Sequence, residues 1–181
     1  MRWIPLNFFF RHLVSDIPLE EVVDEVRDFD ERFMLIIRKH MAVLGMWCLL
    51  HLMGGTIGLL LAEGAWWYFW LMSMCWAFVN LLVVYWIFDH VFLEQFKSGN
   101  LFQRFDLQRH IEKMLFANIG LDVAYIFCGL FFFALAGQSD IPYPELWRGF
   151  AWAVLLQGAY LFLQDIFFHR LHYANFKKSK A

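Results

Sequence analysis

The sequence predicts an all-α integral membrane protein, a four-helix bundle preceded by an N-terminal amphipathic helix on the cytoplasmic or interfacial side. Of the 181 residues, 61% are hydrophobic and only 18% are charged, a composition outside the range of ordinary soluble domains. Four segments each approach the roughly 20 apolar residues that a helix needs to cross a bilayer. Lys and Arg residues gather on one side of these segments, as the positive-inside rule describes.

The chain divides into three predicted parts. Residues 1–40 contain an interfacial anchor and the amphipathic helix, residues 41–173 form the bundle, and residues 174–181 are a basic cytoplasmic tail. The anchor, residues 2–14, is too short to span a bilayer, and its aromatic residues suit lipid while its arginines suit headgroups. Alternatively, a partner subunit and not lipid packs against this first part of the chain.

Apolar residues recur at helical spacing ahead of the first span. They are Leu19, Val22, Val23, Val26, Phe29 and Phe33. Ser15 or Asp16 can cap this helix, and Pro18 suits its first turn. Because no Gly or Pro separates Phe33 from Met41, we expect the amphipathic helix to run directly into the first span.

The four predicted spans are residues 41–62, 65–88, 114–136 and 149–168. Of the 15 Lys and Arg residues, only Arg148 lies in the loops that follow the first and third spans. Both termini and the middle loop are therefore predicted to be cytoplasmic.

Each span carries one polar residue near the middle of the membrane, when depth is counted at about 1.5 Å per residue from the charged ends. These residues are His51, Asn80, Asp122 and Gln157. A central Asp costs about 2.5 to 3.5 kcal/mol on insertion scales, so we expect such groups to face inward and to satisfy one another. On the third span Asn118, Asp122 and Tyr125 share one face. The sequence thus predicts a polar seam that binds a small ligand, a proton or a metal, or that locks the bundle.

The carboxyl of Asp122 is either neutral at this depth or ion-paired, and His51 is the candidate partner. Asp165 and His169, spaced i and i+4, can hold a metal or let a carboxylate orient an imidazole. Further ligands could come from His90 or Asp122, although the spacing matches no recognised metal signature. Haem near the cytoplasmic face, where most histidines cluster, is the other cofactor considered. The cofactor is thus unknown.

Several function classes receive no support from the sequence. The formal net charge is −2 and there is no long basic run, so a nucleic-acid partner is not expected. The three cysteines Cys48, Cys75 and Cys128 lie in apolar runs without ligand spacing and are interpreted as small core residues.

We find no catalytic motif, which favours a non-enzymatic protein. Alternatives are an accessory subunit of a larger membrane complex, such as a respiratory or photosynthetic assembly, and a haem- or metal-dependent redox protein.

Three stretches, "WAFVN" at 76–80, "NIGLDVAY" at 118–125 and "GFAWAVLLQGAYLFLQDIFFHRLH" at 149–172, resemble a group of small four-span bacterial membrane proteins of unknown function. The pattern of that group maps onto Trp76, Asn80, Asn118, Leu121, Asp122, Tyr125, Gly149, Gln157, Gly158, Asp165 and His169. The resemblance implies a four-helix bundle in a bacterial inner membrane. The expected partner of the chain is the lipid bilayer, with other membrane subunits or self-association as further candidates. The resemblance implies no activity, substrate or cofactor.

Overall fold

The computed structural model describes residues 19–87, 89 and 101–178. These residues contain four helices and no strand: α1 (Leu19–Leu61), α2 (Gly64–Ile87), α3 (Leu101–Ala136) and α4 (Pro144–Lys178). The predicted all-α class with four long helices is confirmed. The predictions for the interfacial anchor and for His90 lie outside the described residues.

All four helices are long and apolar enough to cross a membrane. The candidate spans are Arg27–Leu61, Gly64–Ile87, Phe105–Ala136 and Pro144–Asn175. All four exceed the roughly 20 residues that a bilayer needs, and three of them are 32 or 35 residues long. The helix expected before the first span is continuous with it in α1, because nothing in the intervening sequence breaks a helix.

Short turns join the helices at one end of the bundle. Gly64 begins α2 with a φ of 57°, a left-handed conformation that glycine adopts without steric cost. Tyr143 has the same φ, and its carbonyl oxygen accepts a hydrogen bond from the Leu146 amide at 3.0 Å. Pro144 then opens α4, a position that suits its fixed φ and missing N–H.

Helix α4 is the centre of the bundle and packs against the other three helices. Two glycines of α4 allow this close approach. A Cβ at Gly149 would meet the backbone of Ala65 and Phe69 on α2, and one at Gly158 would come within 3.3 Å of the Asp122 carbonyl oxygen on α3. These two contacts set how α2 and α3 sit on α4, because any larger side chain would push the helices apart.

Among the residues whose burial the structure describes, two apolar clusters form the core. One contains Leu44, Cys48, Ala77 and Leu161, drawn from α1, α2 and α4. The other contains Phe33, Ile37 and Leu107 and joins α1 to α3. The second cluster lies near the end of the bundle that carries Lys39, Lys113 and Arg170, which we name the basic end.

The interpretation of the cysteines is correct for one residue and wrong for two. Cys48 is buried in the core, whereas Cys75 and Cys128 are exposed on the outside of α2 and α3. An apolar run does not distinguish the two environments, because the lipid-facing side of a membrane helix is as apolar as its packed side.

Candidate functional site

A cleft of about 910 Å³ lies between α2 and α3 and is backed by residues of α1 and α4. It exists because α2 and α3 each pack on α4 and make little contact with each other. They do meet at Trp76 and Tyr125, whose ring centroids are 4.7 Å apart in an edge-to-face arrangement. Both residues line the cleft, so this aromatic pair bounds it.

Polar and charged side chains from all four helices line the cleft, and those nearest the basic end are Asp106, Arg109, His110 and Lys113. The others lie deeper in the bundle. They include His40, Asn80, Asn118, Asp122, Tyr125 and Asp165. Asp122 is only 3% exposed and Asn80 is 7% exposed. Both positions belong to the predicted seam, and the fold brings them to the same cleft.

The Asp165 carboxyl has several polar neighbours in the cleft. The His40 Nε2 atom lies 3.9 Å from Asp165 Oδ1, and the His40 ring stacks on Phe168 with centroids 4.2 Å apart. Asn118 and Asp122 of α3 line the same cleft, and the Asp122 carboxyl is close enough to Asp165 to interact with it electrostatically. Two carboxyls, one imidazole and one amide therefore share a small region of the cleft wall.

A second group of cleft residues carries polar atoms without partners. Within the described part of the chain, Trp76 Nε1, Asn80 Nδ2 and Asp122 Oδ2 are buried and make no hydrogen bond. Leaving one such group unsatisfied costs about 1 to 3 kcal/mol, and membrane interiors offer no water to compensate. Unpaired buried atoms also occur away from the cleft, on Ser73, Gln157, Gln164 and His172. What distinguishes the atoms on Trp76, Asn80 and Asp122 is that their residues line a cleft.

The predicted midplane residues of α1 and α4 form a separate cluster around Trp47. The Trp47 Nε1 atom donates to Gln157 Oε1 at 2.7 Å, and the indole stacks on Tyr160 with centroids 3.6 Å apart. His51 Nδ1 lies 3.1 Å from the Trp47 carbonyl oxygen. Neither His51 nor Gln157 is among the residues that line the cleft, so the predicted seam falls into two groups.

The structure places no ion pair between His51 and Asp122, both of which it describes. The metal candidates are likewise spread out. Asp165 lies in the cleft, whereas the His169 ring faces Phe116 on α3, with centroids 6.2 Å apart. Over residues 19–87, 89 and 101–178, no group of three His, Cys, Asp or Glu residues is placed to hold a metal ion. The haem hypothesis stays a prediction.

Sequence reasoning missed a polar network at the basic end. Arg32 Nε donates to Asn175 Oδ1 at 2.8 Å, Asn175 Nδ2 donates to Gln108 Oε1 at 3.1 Å, and Gln108 Nε2 donates to the His172 carbonyl oxygen at 2.9 Å. A signal for it was available in the spacing of Asp165, His172 and Asn175, which continues one face of α4 past the predicted span.

Comparison with known proteins places most of the cleft, although not His40, within the region matched by a sequence family. A family model described as "Family of unknown function (DUF6992)" matches residues 43–166, more than half of the chain. The matched region contains Trp76, Asn80, Asp122 and Asp165, and it leaves out Asn175. The comparisons with curated proteins and with solved structures found no match.

Proposed function

The chain belongs to this family of unknown function, and we propose that it is a multi-pass membrane protein that binds a small membrane-soluble molecule in the cleft between α2 and α3. The observation that carries the proposal is the set of three buried, unpaired polar atoms on Trp76, Asn80 and Asp122. Each of these residues lines the cleft, so a molecule bound there contacts the side chains that carry the unpaired atoms.

The outer surface of the bundle supports a position in a lipid bilayer. Large apolar side chains are strongly exposed on every helix, among them Leu60 at 79%, Leu82 at 69%, Phe116 at 70% and Leu163 at 67%. A soluble monomer rarely exposes apolar surface of this extent. The proposed location is a bacterial inner membrane, with the basic end and both termini in the cytoplasm, because Lys and Arg concentrate there.

The mouth of the cleft supports entry from lipid rather than from water. Val79, Val83 and Leu121 line the cleft and are 52%, 37% and 52% exposed. A molecule dissolved in the bilayer therefore reaches the polar groups without crossing water, and its apolar part remains against apolar side chains.

A pair of substitutions tests the proposal. Asn80→Leu removes an amide that lines the cleft, whereas Gln157→Leu removes an equally buried amide outside it. The full-length protein is purified in a mild detergent, and the small molecules that remain bound are identified by native mass spectrometry. We expect a bound molecule on the wild type and on Gln157→Leu, and its loss from Asn80→Leu.

Two results would contradict the proposal. One is a wild-type protein that carries no small molecule and takes none up from an extract of total membrane lipids. The other is equal retention by Asn80→Leu and Gln157→Leu, because binding would then not involve the cleft. Co-purification of another membrane protein in a fixed ratio would instead favour the accessory-subunit alternative.

A further inference from the structure

The chemistry of the cleft identifies a class of ligand, an inference that rests on the proposed function. We propose that the cleft binds a quinone or its quinol, an uncharged flat ring with oxygen atoms on opposite edges and an apolar tail. The proposal concerns binding alone and includes no electron transfer.

The unpaired donors require an oxygen acceptor. Trp76 Nε1 and Asn80 Nδ2 both carry hydrogens and neither has a partner. An indole N–H can only donate, and an amide nitrogen also only donates. A ligand carbonyl oxygen has two lone pairs and can accept from both, and this is the group that a quinone presents at the edge of its ring.

A second set of polar side chains lies one helical turn closer to the basic end than Asn80 and Asp122. Asn118 and Asp122 are four residues apart on α3, so their levels differ by about 6 Å. Asn118 and Asp165 both line the cleft, and Asp165 Oδ1 lies 3.9 Å from the His40 Nε2 atom. The two oxygens of a para-quinone have a comparable separation, so one oxygen lies at the level of Asn80 and Asp122 and the other at the level of Asn118 and Asp165.

The shape of the cleft also suits a flat ring with a tail. The edge-to-face pair of Trp76 and Tyr125 gives one aromatic boundary, and aromatic rings pack favourably on other rings. The volume of about 910 Å³ is within the range of roughly 300 to 1,000 Å³ that small-molecule sites occupy. The apolar mouth at Val79, Val83 and Leu121 lets a tail leave the cleft into lipid.

The charges in the cleft argue against the other common membrane amphiphiles. A fatty-acid carboxylate at the depth of Asp122 would meet the carboxyls of Asp122 and Asp165, with unfavourable electrostatics. Arg109 and Lys113 also line the cleft, nearer the basic end. A carboxylate drawn toward them would leave the donors of Trp76 and Asn80 unpaired. A lipophilic cation would face the donor hydrogens of Trp76 and Asn80, which carry partial positive charge. An uncharged head group avoids both penalties. The carbonyl oxygens of a quinone accept hydrogen bonds from the donors of Trp76 and Asn80, and the hydroxyl groups of the quinol can also donate to a carboxyl.

The experiment uses the full chain in lipid nanodiscs and follows the quenching of tryptophan fluorescence by decylubiquinone, a short-tailed quinone. Tetraphenylphosphonium and dodecanoate are the cationic and anionic probes, and empty nanodiscs correct for partitioning. We expect saturable quenching by the quinone for the wild type and for Gln157→Leu. Neither charged probe should compete with it.

Two variants test the contacts. Trp76→Phe keeps an aromatic ring and removes the N–H, and we expect its dissociation constant for the quinone to rise about three- to tenfold, as for loss of one hydrogen bond. Asn80→Leu should give a rise of similar or larger size. Circular dichroism and gel filtration verify that each variant is folded, and Trp76→Phe serves as the test if Asn80→Leu is not.

The outcomes separate the two proposals. Non-saturable quenching, or equal affinity in the wild type and both variants, overturns the quinone proposal. If tetraphenylphosphonium or dodecanoate instead binds saturably and Asn80→Leu weakens that binding, the quinone class is wrong while ligand binding in the cleft stands. If none of the three probes binds and no membrane-lipid component is retained, both proposals fail.

Discussion

Two buried polar clusters of this molecule differ in how completely they pair. At the basic end, Arg32, Asn175 and Gln108 are joined by hydrogen bonds of 2.8 and 3.1 Å that connect three helices. In the cleft, Asn80 and Asp122 are just as buried but carry atoms with no partner among the described residues. Buried polar groups in proteins are nearly always paired, and the hydrogen bonds of the first cluster serve the fold. The ring nitrogens of the neighbouring His172 are also unpaired, but His172 does not line the cleft. The unpaired atoms of Asn80 and Asp122 differ because their residues border a space that is large enough for another molecule.

The surroundings of the two clusters explain the difference. Asn175 Nδ2 also lies 3.3 Å from the Phe29 carbonyl oxygen, and Phe29 and Phe33 are fully buried beside it, so packed side chains hold the network in place. Asn80 and Asp122 instead border a cleft between two helices that scarcely touch. Three predictions test this contrast, each by removing one polar group.

The largest effect is expected for Asn175→Ala. The substitution removes the shared partner of Arg32 and Gln108 and leaves both groups buried or partly buried without it. We expect the free energy of unfolding to fall by about 2 to 4 kcal/mol, since a hydrogen bond to a charged group is lost and an amide is left unsatisfied. Unfolding by denaturant in detergent micelles measures this change. Arg170→Ala, at an exposed position of the same helix, is the control, and equal stability of the two variants would refute the structural role.

A smaller loss is expected for Trp47→Phe. The phenyl ring can still stack on Tyr160, but the hydrogen bond from Trp47 Nε1 to Gln157 is lost. We expect destabilisation by about 1 to 2 kcal/mol, because the Gln157 amide then has an unpaired oxygen as well as an unpaired nitrogen. The control is Trp66→Phe, which changes an indole that is 59% exposed. A quinone affinity that changes with Trp47→Phe would contradict the separation of this cluster from the cleft.

The smallest effect on stability, and one of opposite sign, is expected for Asn80→Leu in the ligand-free protein. The substitution removes a buried amide that has an unpaired nitrogen, so we expect the free energy of unfolding to stay constant or to rise by up to about 1 kcal/mol. The same unfolding measurement, performed after the ligand has been removed by extensive detergent washing, checks this. If Asn80→Leu lowered the free energy of unfolding as much as Asn175→Ala, Asn80 would stabilise the fold. The two clusters would then not differ in role.

The sequence predicted the helical class and the inward-facing side of each helix. His51, Asn80 and Asp122 are all buried, because a polar residue in an apolar helix marks the side that avoids lipid. Helical spacing also grouped Asn118, Asp122 and Tyr125, and all three line the cleft. These features are local to one helix, and periodicity is sufficient to find them.

The sequence did not predict which inward faces meet. One seam was expected, but α4 is central and presents different sides to its neighbours, so Gln157 contacts Trp47 while Asp165 contacts His40. The close approaches at Gly149 and Gly158 decide this arrangement, and residue spacing within one helix contains no information about them. The basic-end network was missed because α1, α3 and α4 continue beyond the lengths that hydropathy assigned to the spans.

The unbroken course of α1 has a mechanical consequence. His40 lines the cleft and Arg32 bonds to Asn175, and eight residues of one helix, about 12 Å, separate them. A helix without Gly, Pro or an inserted side chain curves gently and has no hinge. The segment between these two residues is therefore rigid. A displacement of α1 at His40 would be carried along the helix to the guanidinium of Arg32. A molecule that binds in the cleft and displaces α1 there would then also change the position of Arg32.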